Sequence, residues 1–149
     1  MGFYKYLQKT FQKEYAERSP QLRQRLAKWR KQPTVARSER PTNLARARSL
    51  GYVAKKEFII ARARVKRGKR RRPAASLGRK PGKNRKTENP GKQWQWFAEQ
   101  KAQRRFPNLR VLNSYFVGED GQNAYYEVVM HNPHSSKPLA HHIKPVAKA

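Results

Sequence analysis

The residues best suited to binding a charged partner are concentrated in one basic block, residues 62–86. Thirteen of these 25 residues are Lys or Arg, and no Asp or Glu lies between Ile59 and Thr87. Such a block cannot neutralise itself, because no opposite charge is within reach. It suits a nucleic acid, since each neutralised phosphate releases condensed counterions and arginine adds bidentate contacts. A solvated face is the ordinary alternative, and a membrane surface is less favoured because the block lacks the apolar face of an interfacial helix.

Three other patterns approach catalytic or metal-binding motifs without completing one. Residues 78–83 read G-x-x-x-G-K, one residue short of a phosphate-binding loop, and Asn84 replaces the Ser or Thr that would hold magnesium. Glu119 and Asp120 are adjacent, but they lie in a predicted turn, where we expect both carboxylates to be solvated. No acid follows Glu127 to support a metal site built from His131, His134, His141 and His142. We therefore expect no catalysis, cofactor or metal, and we assign the histidines to a tail that faces nucleic acid.

The composition of the whole chain points the same way. Its 149 residues include 36 Lys or Arg against 9 Asp or Glu, for a formal net charge of +27. So many like charges repel each other on one small surface, and we expect complete folding only against a large polyanion. The absence of cysteine excludes disulfides and thiolate metal sites. Without a signal peptide or an apolar run that could span a bilayer, the sequence predicts a cytoplasmic protein.

Two helices are predicted at the N-terminus. The apolar residues of 3–17 recur every four positions, which places them on one side of an amphipathic helix. They are Phe3, Leu7, Phe11 and Tyr15. Ser19 followed by Pro20 is a typical helix start, because the hydroxyl can accept from free N–H groups and proline suits the first turn. The second helix is expected over 20–31. Most tyrosines and tryptophans are candidates for the core.

The rest of the ordered chain reads as strands and short helices. The period of two in residues 57–66 predicts a strand with one face on a core and one face that can meet an anion through Arg62, Arg64 and Lys66. Turn residues 118–121 between two β-rich segments, 109–117 and 124–130, predict a β-hairpin. The remaining elements are expected to be strand 34–39, helix 42–50 ending at a left-handed Gly51, and helix 92–105.

Residues 68–91 read as an extension rather than a domain. Prolines and glycines interrupt the segment, and Leu77 is its one large aliphatic residue. It buries too little apolar area to offset its ordering entropy, so we expect it to become ordered only along a partner. The predicted organisation is one domain over 1–133, which includes a helical region at 1–32 and this basic extended segment at 68–91, followed by a basic tail at 134–149.

Several stretches of the chain closely resemble the large-subunit ribosomal protein family L-fifteen-e of archaea and eukaryotes. The opening MGFYKYLQ is similar to the opening of the family, and LGYVAKK followed by IARARVKRG resembles its most recognisable segment. The similar stretches run in order over most of 1–133, and they are residues 1–8, 40–42, 45–46, 50–56, 60–68, 106–115 and 117–121. The lead-in FPN at 106–108 looks more archaeal than eukaryotic.

The resemblance implies a fold and a function. The fold would be α+β, a small antiparallel four-stranded sheet with helices on both faces and basic extensions embedded in RNA. The protein would be a non-enzymatic structural constituent of the large ribosomal subunit in the cytoplasm. It would bind and stabilise large-subunit ribosomal RNA beside neighbouring ribosomal proteins, with no membrane or small-molecule substrate.

Charge alone leaves two further hypotheses open. One is a DNA-compacting, chromatin-type protein, and the other is a nucleic-acid-modifying enzyme with a basic tail. For the leading hypothesis, we expect phosphate contacts from twelve residues: Arg46, Arg48, Lys55, Lys56, Arg62, Arg64, Lys66, Arg67, Lys69, Arg70, Arg71 and Arg72. Trp96 lies off the apolar stripe of its helix and is a second-rank candidate for stacking on a base.

Overall fold

Ten helices and strands are seen in the computed structural model of the chain, which describes residues 2–72 and 86–134. In chain order they are α1 (Phe3–Ala16), α2 (Pro20–Lys31), β1 (Val35–Ser38), α3 (Leu44–Ser49), β2 (Phe58–Lys66), β3 (Arg70–Arg71), β4 (Thr87–Glu88), α4 (Trp94–Arg105), β5 (Arg110–Glu119) and β6 (Asn123–His131). Apart from β3 and β4, each was expected from the sequence, with boundaries that differ by up to two residues.

Four strands form one antiparallel sheet in the order β1-β2-β6-β5. The full length of β2 pairs with β6, from Phe58 opposite His131 to Lys66 opposite Asn123. Bulges at two points of β5 shift its register against β6, between Val111 and Asn113 and again after Phe116. The expected α+β fold with a four-stranded antiparallel sheet is confirmed.

Helices cover both faces of this sheet, as expected. On one face α4 packs closely, because small side chains meet across the interface, among them Ala61 and Ala63 of β2 and Ala98 and Ala102 of α4. On the other face α2 and α3 enclose a larger core, built mainly from Trp29, Ala47, Ile60, Leu112, Tyr115, Val117, Tyr125 and Val129. The two middle strands are therefore buried from both sides.

Helix α1 was correctly predicted as a helix, but its apolar stripe is not part of the core. None of its residues is buried, and Phe3 is 67% exposed. The C-terminal end of the stripe rests on the edge strand, where the rings of Tyr15 and Phe116 meet edge to face at 5.7 Å. Periodicity identifies the residues on one side of a helix, but how deeply that side is buried depends on the rest of the fold.

The local start and stop signals behave as expected at two positions. The backbone N–H of Leu22 donates to Ser19 Oγ at 3.2 Å, which caps α2 with Pro20 in its first turn. Gly51 has φ +94°, the left-handed conformation that ends the α3 region. In the described part of the extension at 68–91, Arg70 pairs with Glu88 and Arg71 with Thr87, a two-residue ladder that the sequence did not predict; residues 73–85 lie outside the described chain.

Asp120 is not the solvated turn carboxylate that the sequence suggested. It accepts the backbone N–H groups of Gln122 at 2.8 Å and Asn123 at 2.7 Å, and the hydroxyl of Tyr125 at 3.1 Å. Burial alone would raise the pKa of Asp120, but these donors and the nearby Arg30 outweigh it and hold the pKa below its ordinary value. The side chain therefore closes the turn between β5 and β6.

The lowered pKa predicts an acid-sensitive contribution to stability. A carboxylate with a depressed folded-state pKa stabilises the fold above its unfolded pKa, about 3.9, and the effect is lost as pH falls further. Asp120→Asn should lower the free energy of unfolding by roughly 1–3 kcal/mol near neutral pH, and the difference from wild type should shrink below about pH 4. Urea unfolding of the full chain in sulfate, which screens self-repulsion, measures this.

Glu39→Gln is the matched control, because Glu39 is exposed and makes no hydrogen bond or ion pair within residues 2–72 and 86–134. We expect a change within about 0.5 kcal/mol for it. A difference between Asp120→Asn and wild type that does not vary with pH would contradict the assignment.

Candidate nucleic-acid interface

The first four predicted contacts lie on α3 and on the loop that follows it. Asn43 Oδ1 accepts the N–H of Arg46 at 3.0 Å and begins the helix, while Ala47 is completely buried and fixes it to the core. Arg46 and Arg48 flank Ala47 and are exposed. Lys55 and Lys56 in the loop are also exposed, and these four residues form what we call the α3 patch: Arg46, Arg48, Lys55 and Lys56.

Arg62 occupies a different environment from the one that the alternation of β2 suggested. Its side chain is only 12% exposed, and its guanidinium lies 3.2 Å from Glu127 Oε1 and 4.3 Å from the centre of the Trp29 ring. It also donates to Ser38 Oγ at 3.0 Å. Helix α2 covers this part of the strand, so β2 is packed on both faces here. The basic face that we expected to be open is covered at Arg62.

Glu127 was not singled out from the sequence, yet it lies at the centre of this region with no solvent exposure. Its carboxylate accepts from the N–H and hydroxyl of Thr42 at 2.8 and 2.6 Å, and from the Tyr115 hydroxyl at 2.6 Å. Arg62 supplies the opposite charge. A buried carboxylate requires such partners. The available signal was an acid within the otherwise apolar strand 124–130.

The same cluster changes the acidity of Tyr115. Burial, followed by the negative charge of Glu127, raises the pKa of the Tyr115 hydroxyl far above its ordinary value. The phenol therefore stays protonated and remains a donor. Because Thr42 precedes Asn43, the residue that caps α3, the Glu127 cluster also positions α3 and its Arg46 and Arg48 relative to the sheet.

Further along β2, Arg64 and Lys66 differ in exposure. Arg64 is half-buried, donates from Nη1 to the carbonyl of Arg30 at 2.9 Å, and accepts Lys101 Nζ on its own carbonyl at 2.9 Å. Burial, and then the charge of Arg64, lowers the pKa of Lys101. Lys66 is exposed at the end of the strand.

The remaining predicted residues follow the end of β2. Arg67 is held by the fold, since it lies 3.4 Å from Glu119 Oε1, donates to the Asp120 carbonyl at 3.0 Å, and stacks 5.7 Å from the centre of the Trp94 ring. Glu88 forms ion pairs with two exposed arginines, Arg70 at 2.7 Å and Arg72 at 3.0 Å. The hydrogen bond from Arg72 is the main reason that the pKa of Glu88 is lowered. Lys69 and Arg71 are exposed.

The outward cations at this end of β2 form a second surface, the β2-end patch: Lys66, Lys69, Arg70, Arg71 and Arg72. Lys55 and Lys56 of the α3 patch precede the nine-residue strand β2, and the β2-end patch lies at its other end, about 26 Å along the strand. A single phosphate group therefore cannot reach both this lysine pair and the β2-end patch.

Acidic residues neutralise few of these cations. Six of the nine acids form ion pairs in the described chain, and they are Glu14, Glu17, Glu88, Glu119, Asp120 and Glu127. In the described chain, side chains that make no hydrogen bond or ion pair include Arg46, Lys55, Lys56, Lys66, Lys69 and Arg71. Exposed bases that the sequence analysis left out of its site include Arg23, Lys28, Arg37, Arg40, Arg104, Arg105 and Arg110. For Arg23 and Lys28 of α2 and Arg104 and Arg105 of α4, the signal was basic residues on a helix that also carries an apolar stripe. Arg37, Arg40 and Arg110 lie on strands or in a loop and carry no such signal.

The structure shows the surroundings of some of the remaining candidates for stacking or metal binding. Trp96 is half-buried, with its ring 5.1 Å from that of Phe97. His131 is not in a tail but ends β6, where it is buried 4.8 Å from the Phe58 ring. Residues 2–72 and 86–134 contain no group of side chains suited to a metal ion. Residues outside the described chain include 78–83, Asn84, His141 and His142.

The fold and surface define a small, strongly basic α+β protein. The described helices all fall short of the length and apolar character needed to cross a membrane. The family model described as Ribosomal L15 matches residues 2–141, nearly the whole chain. The chain belongs to this family, L-fifteen-e, and is a structural protein of the large ribosomal subunit, part of a ribonucleoprotein that acts in translation. The family is a non-enzymatic kind of protein, and the match gives no support to a chromatin-type role.

The environment of Arg62 predicts a structural rather than a surface effect. Arg62→Ala should lower the free energy of unfolding by roughly 3 kcal/mol or more, because Glu127 would remain buried without its countercharge. Combining it with Glu127→Gln should recover part of the loss, since the uncompensated charge is then removed. Urea unfolding of the full chain measures both variants.

Arg37→Ala provides the matched control, since Arg37 is an exposed arginine on the neighbouring strand β1. It should change stability by less than about 0.5 kcal/mol. Equal losses for the Arg62 and Arg37 variants would show that the Glu127 cluster has no special role.

Proposed function

We propose that this ribosomal protein binds and stabilises large-subunit ribosomal RNA through the α3 patch and the β2-end patch. The observation that carries the proposal is the uneven use of charge. Buried and half-buried arginines have partners within the fold, whereas Arg46, Lys55, Lys56, Lys66, Lys69 and Arg71 extend outward without acidic partners in the described chain. Each can neutralise a phosphate and release counterions.

The twelve residues expected from the sequence divide into two roles under this proposal. The contact residues are those of the two patches: Arg46, Arg48, Lys55, Lys56, Lys66, Lys69, Arg70, Arg71 and Arg72. The other three, Arg62, Arg64 and Arg67, hold the surface in shape, because they are half-buried and their guanidinium groups bond to protein oxygens. Arg48, Arg70 and Arg72 also contact protein oxygens, but they remain exposed. Arginine suits both roles, since its fixed fork can bond a carboxylate, a carbonyl or a phosphate.

The separation of the patches supports a bridging function. About 26 Å of strand lies between Lys55 and Lys56 of the α3 patch and the β2-end patch, and the sheet is packed on both faces. We propose that the two patches contact different stretches of RNA backbone and reduce the repulsion between them. The extension 68–91 within the domain and the tail 134–149 after it would add further contacts, because their composition matches segments that order on a polyanion.

The proposal also sets the cellular context. We infer that the protein resides in the cytoplasmic ribosome and lies beside other large-subunit proteins. We infer no enzymatic activity, membrane association or small-molecule substrate. DNA compaction is the alternative to be excluded by experiment, because phosphate contacts alone do not distinguish the two polymers.

Salt-dependent binding tests the contact residues directly. The triple variant Lys66→Ala, Lys69→Ala and Arg71→Ala should weaken binding of the full chain to purified large-subunit ribosomal RNA. The slope of log affinity against log salt should become shallower by about 2–3, at roughly 0.7–0.9 for each lost phosphate contact. Filter binding over a salt series gives both quantities.

An uncharged triple variant controls for the loss of exposed side chains: Gln8→Ala, Gln12→Ala and Gln24→Ala, all on helix surfaces. It should leave the salt slope unchanged. An unchanged slope for the basic triple variant would remove the β2-end patch from the interface. Equal affinity for duplex DNA, or loss from the large subunit in a high-salt wash, would refute the proposed function.

A further inference from the structure

The first turns of α1 carry most of the exposed aromatic surface in the described chain. Phe3 and Tyr6 are each 67% exposed and Tyr4 is 41% exposed. The described chain has two other exposed large hydrophobic residues, Val53 and Phe116. Single exposed apolar side chains are ordinary, but three aromatic rings within four residues form a local patch that needs an explanation.

The patch has a fixed base. The Tyr4 ring lies beneath the guanidinium of Arg48, 5.4 Å from its centre, and the Tyr4 hydroxyl contacts the same guanidinium. The Phe3 ring meets Tyr4 edge to face at 5.8 Å. Phe3 and Tyr6 are three positions apart, so they are neighbours on the helix surface. Contact with α3 therefore holds the end of α1 while the Phe3 and Tyr6 rings remain open.

The charges carried by residues 3–13 of α1 and by α3 are all positive, and Lys13 shares an exposed ion pair of 3.9 Å with Glu17, just past the end of α1. Lys9 and Lys13 follow Tyr6 by three and seven positions, which places them on the same side of α1. No acid occurs in residues 2–13, and none occurs in residues 40–56, which include the α3 patch. The occupant of this surface should therefore combine negative charge with flat apolar faces.

We propose that the Phe3–Tyr6 turn of α1 is a stacking site for unpaired nucleobases of RNA, with Lys9, Lys13 and the α3 patch bonding the adjoining phosphates. The proposal rests on the proposed function and extends it from phosphate contacts to base contacts. Aromatic rings interleaved with cations are the usual surface for unpaired bases, because every base has a face that can stack. A protein partner fits less well, since the centres of protein interfaces are depleted in lysine.

Replacing the rings without changing the charge separates stacking from phosphate binding. Phe3→Leu with Tyr6→Leu keeps a good helix former at both positions and keeps the net charge. The affinity of the full chain for purified large-subunit ribosomal RNA should fall about 5- to 150-fold for each ring that stacks, while the salt slope stays the same.

Two control variants complete the design. Phe3→Tyr with Tyr6→Phe retains both rings and should bind as the wild type does. Lys9→Gln with Lys13→Gln retains the rings and should make the salt slope shallower by about 1.4–1.8. Equal affinities for the leucine variant and the wild type would overturn the stacking site, as would a change in slope caused by the leucine variant.

Ultraviolet cross-linking of intact large subunits identifies the occupant without any substitution. A cross-link between a nucleotide and the peptide that contains Phe3 and Tyr6 is the expected result. A chemical cross-link from this peptide to another ribosomal protein, with no nucleotide attached, would overturn the proposal in favour of a protein partner.

The proposed function and the stacking site can be refuted separately. If the wild-type chain does not bind large-subunit RNA, the proposed function is wrong. If it binds with the expected salt slope but the leucine variant is unaffected, only the stacking site is wrong.

Discussion

The fold depends on the most deeply buried acid of the described residues, the carboxylate of Glu127. A carboxylate in a protein interior costs several kcal/mol unless donors and a countercharge surround it. Here the donors come from Thr42, Arg62 and Tyr115, which belong to the segment before α3, to β2 and to β5. Because Glu127 itself lies on β6, four separate parts of the chain must meet for the charge to be satisfied. Trp29 of α2 joins them through its stacking on Arg62.

This arrangement explains how a chain with a net charge of +27 can hold a defined sheet. Acids are scarce, and several of them fix an arginine that joins two elements, as Asp120 does for Arg30 and Glu119 does for Arg67. The remaining cations are left outward, where their mutual repulsion is lowest. The placement of the nine acids therefore accounts for two features. The acids that bond to arginines hold the elements of the fold together, and the cations left without acids give the surface its excess positive charge.

Much of the fold follows from local patterns. Ser19-Pro20, Gly51 and the turn at 118–121 mark element boundaries whose physical causes act over a few residues, and the structure shows each boundary close to its expected position. The errors concern what covers a surface. Arg62 alternates with alanines as an exposed basic residue would, yet α2 lies over it. The stripe of α1 repeats as a core helix would, yet little of the protein lies against it. Neither covering is encoded near the residues concerned.

The same limit applies to the residues that contact RNA under our proposal. Arg62 lies 4.3 Å from the Trp29 ring and Arg48 lies 5.4 Å from the Tyr4 ring, so both pairs use the same stacking of guanidinium on an aromatic face. Burial decides their consequences. The buried pair is enclosed with Glu127 and can only stabilise the fold, whereas the exposed pair leaves donors and ring faces open to a ligand. Residue type thus restricts the chemistry to contacts between cations, rings and anions. The burial of each site then determines whether the anion is a carboxylate within the chain or, under our proposal, a phosphate outside it.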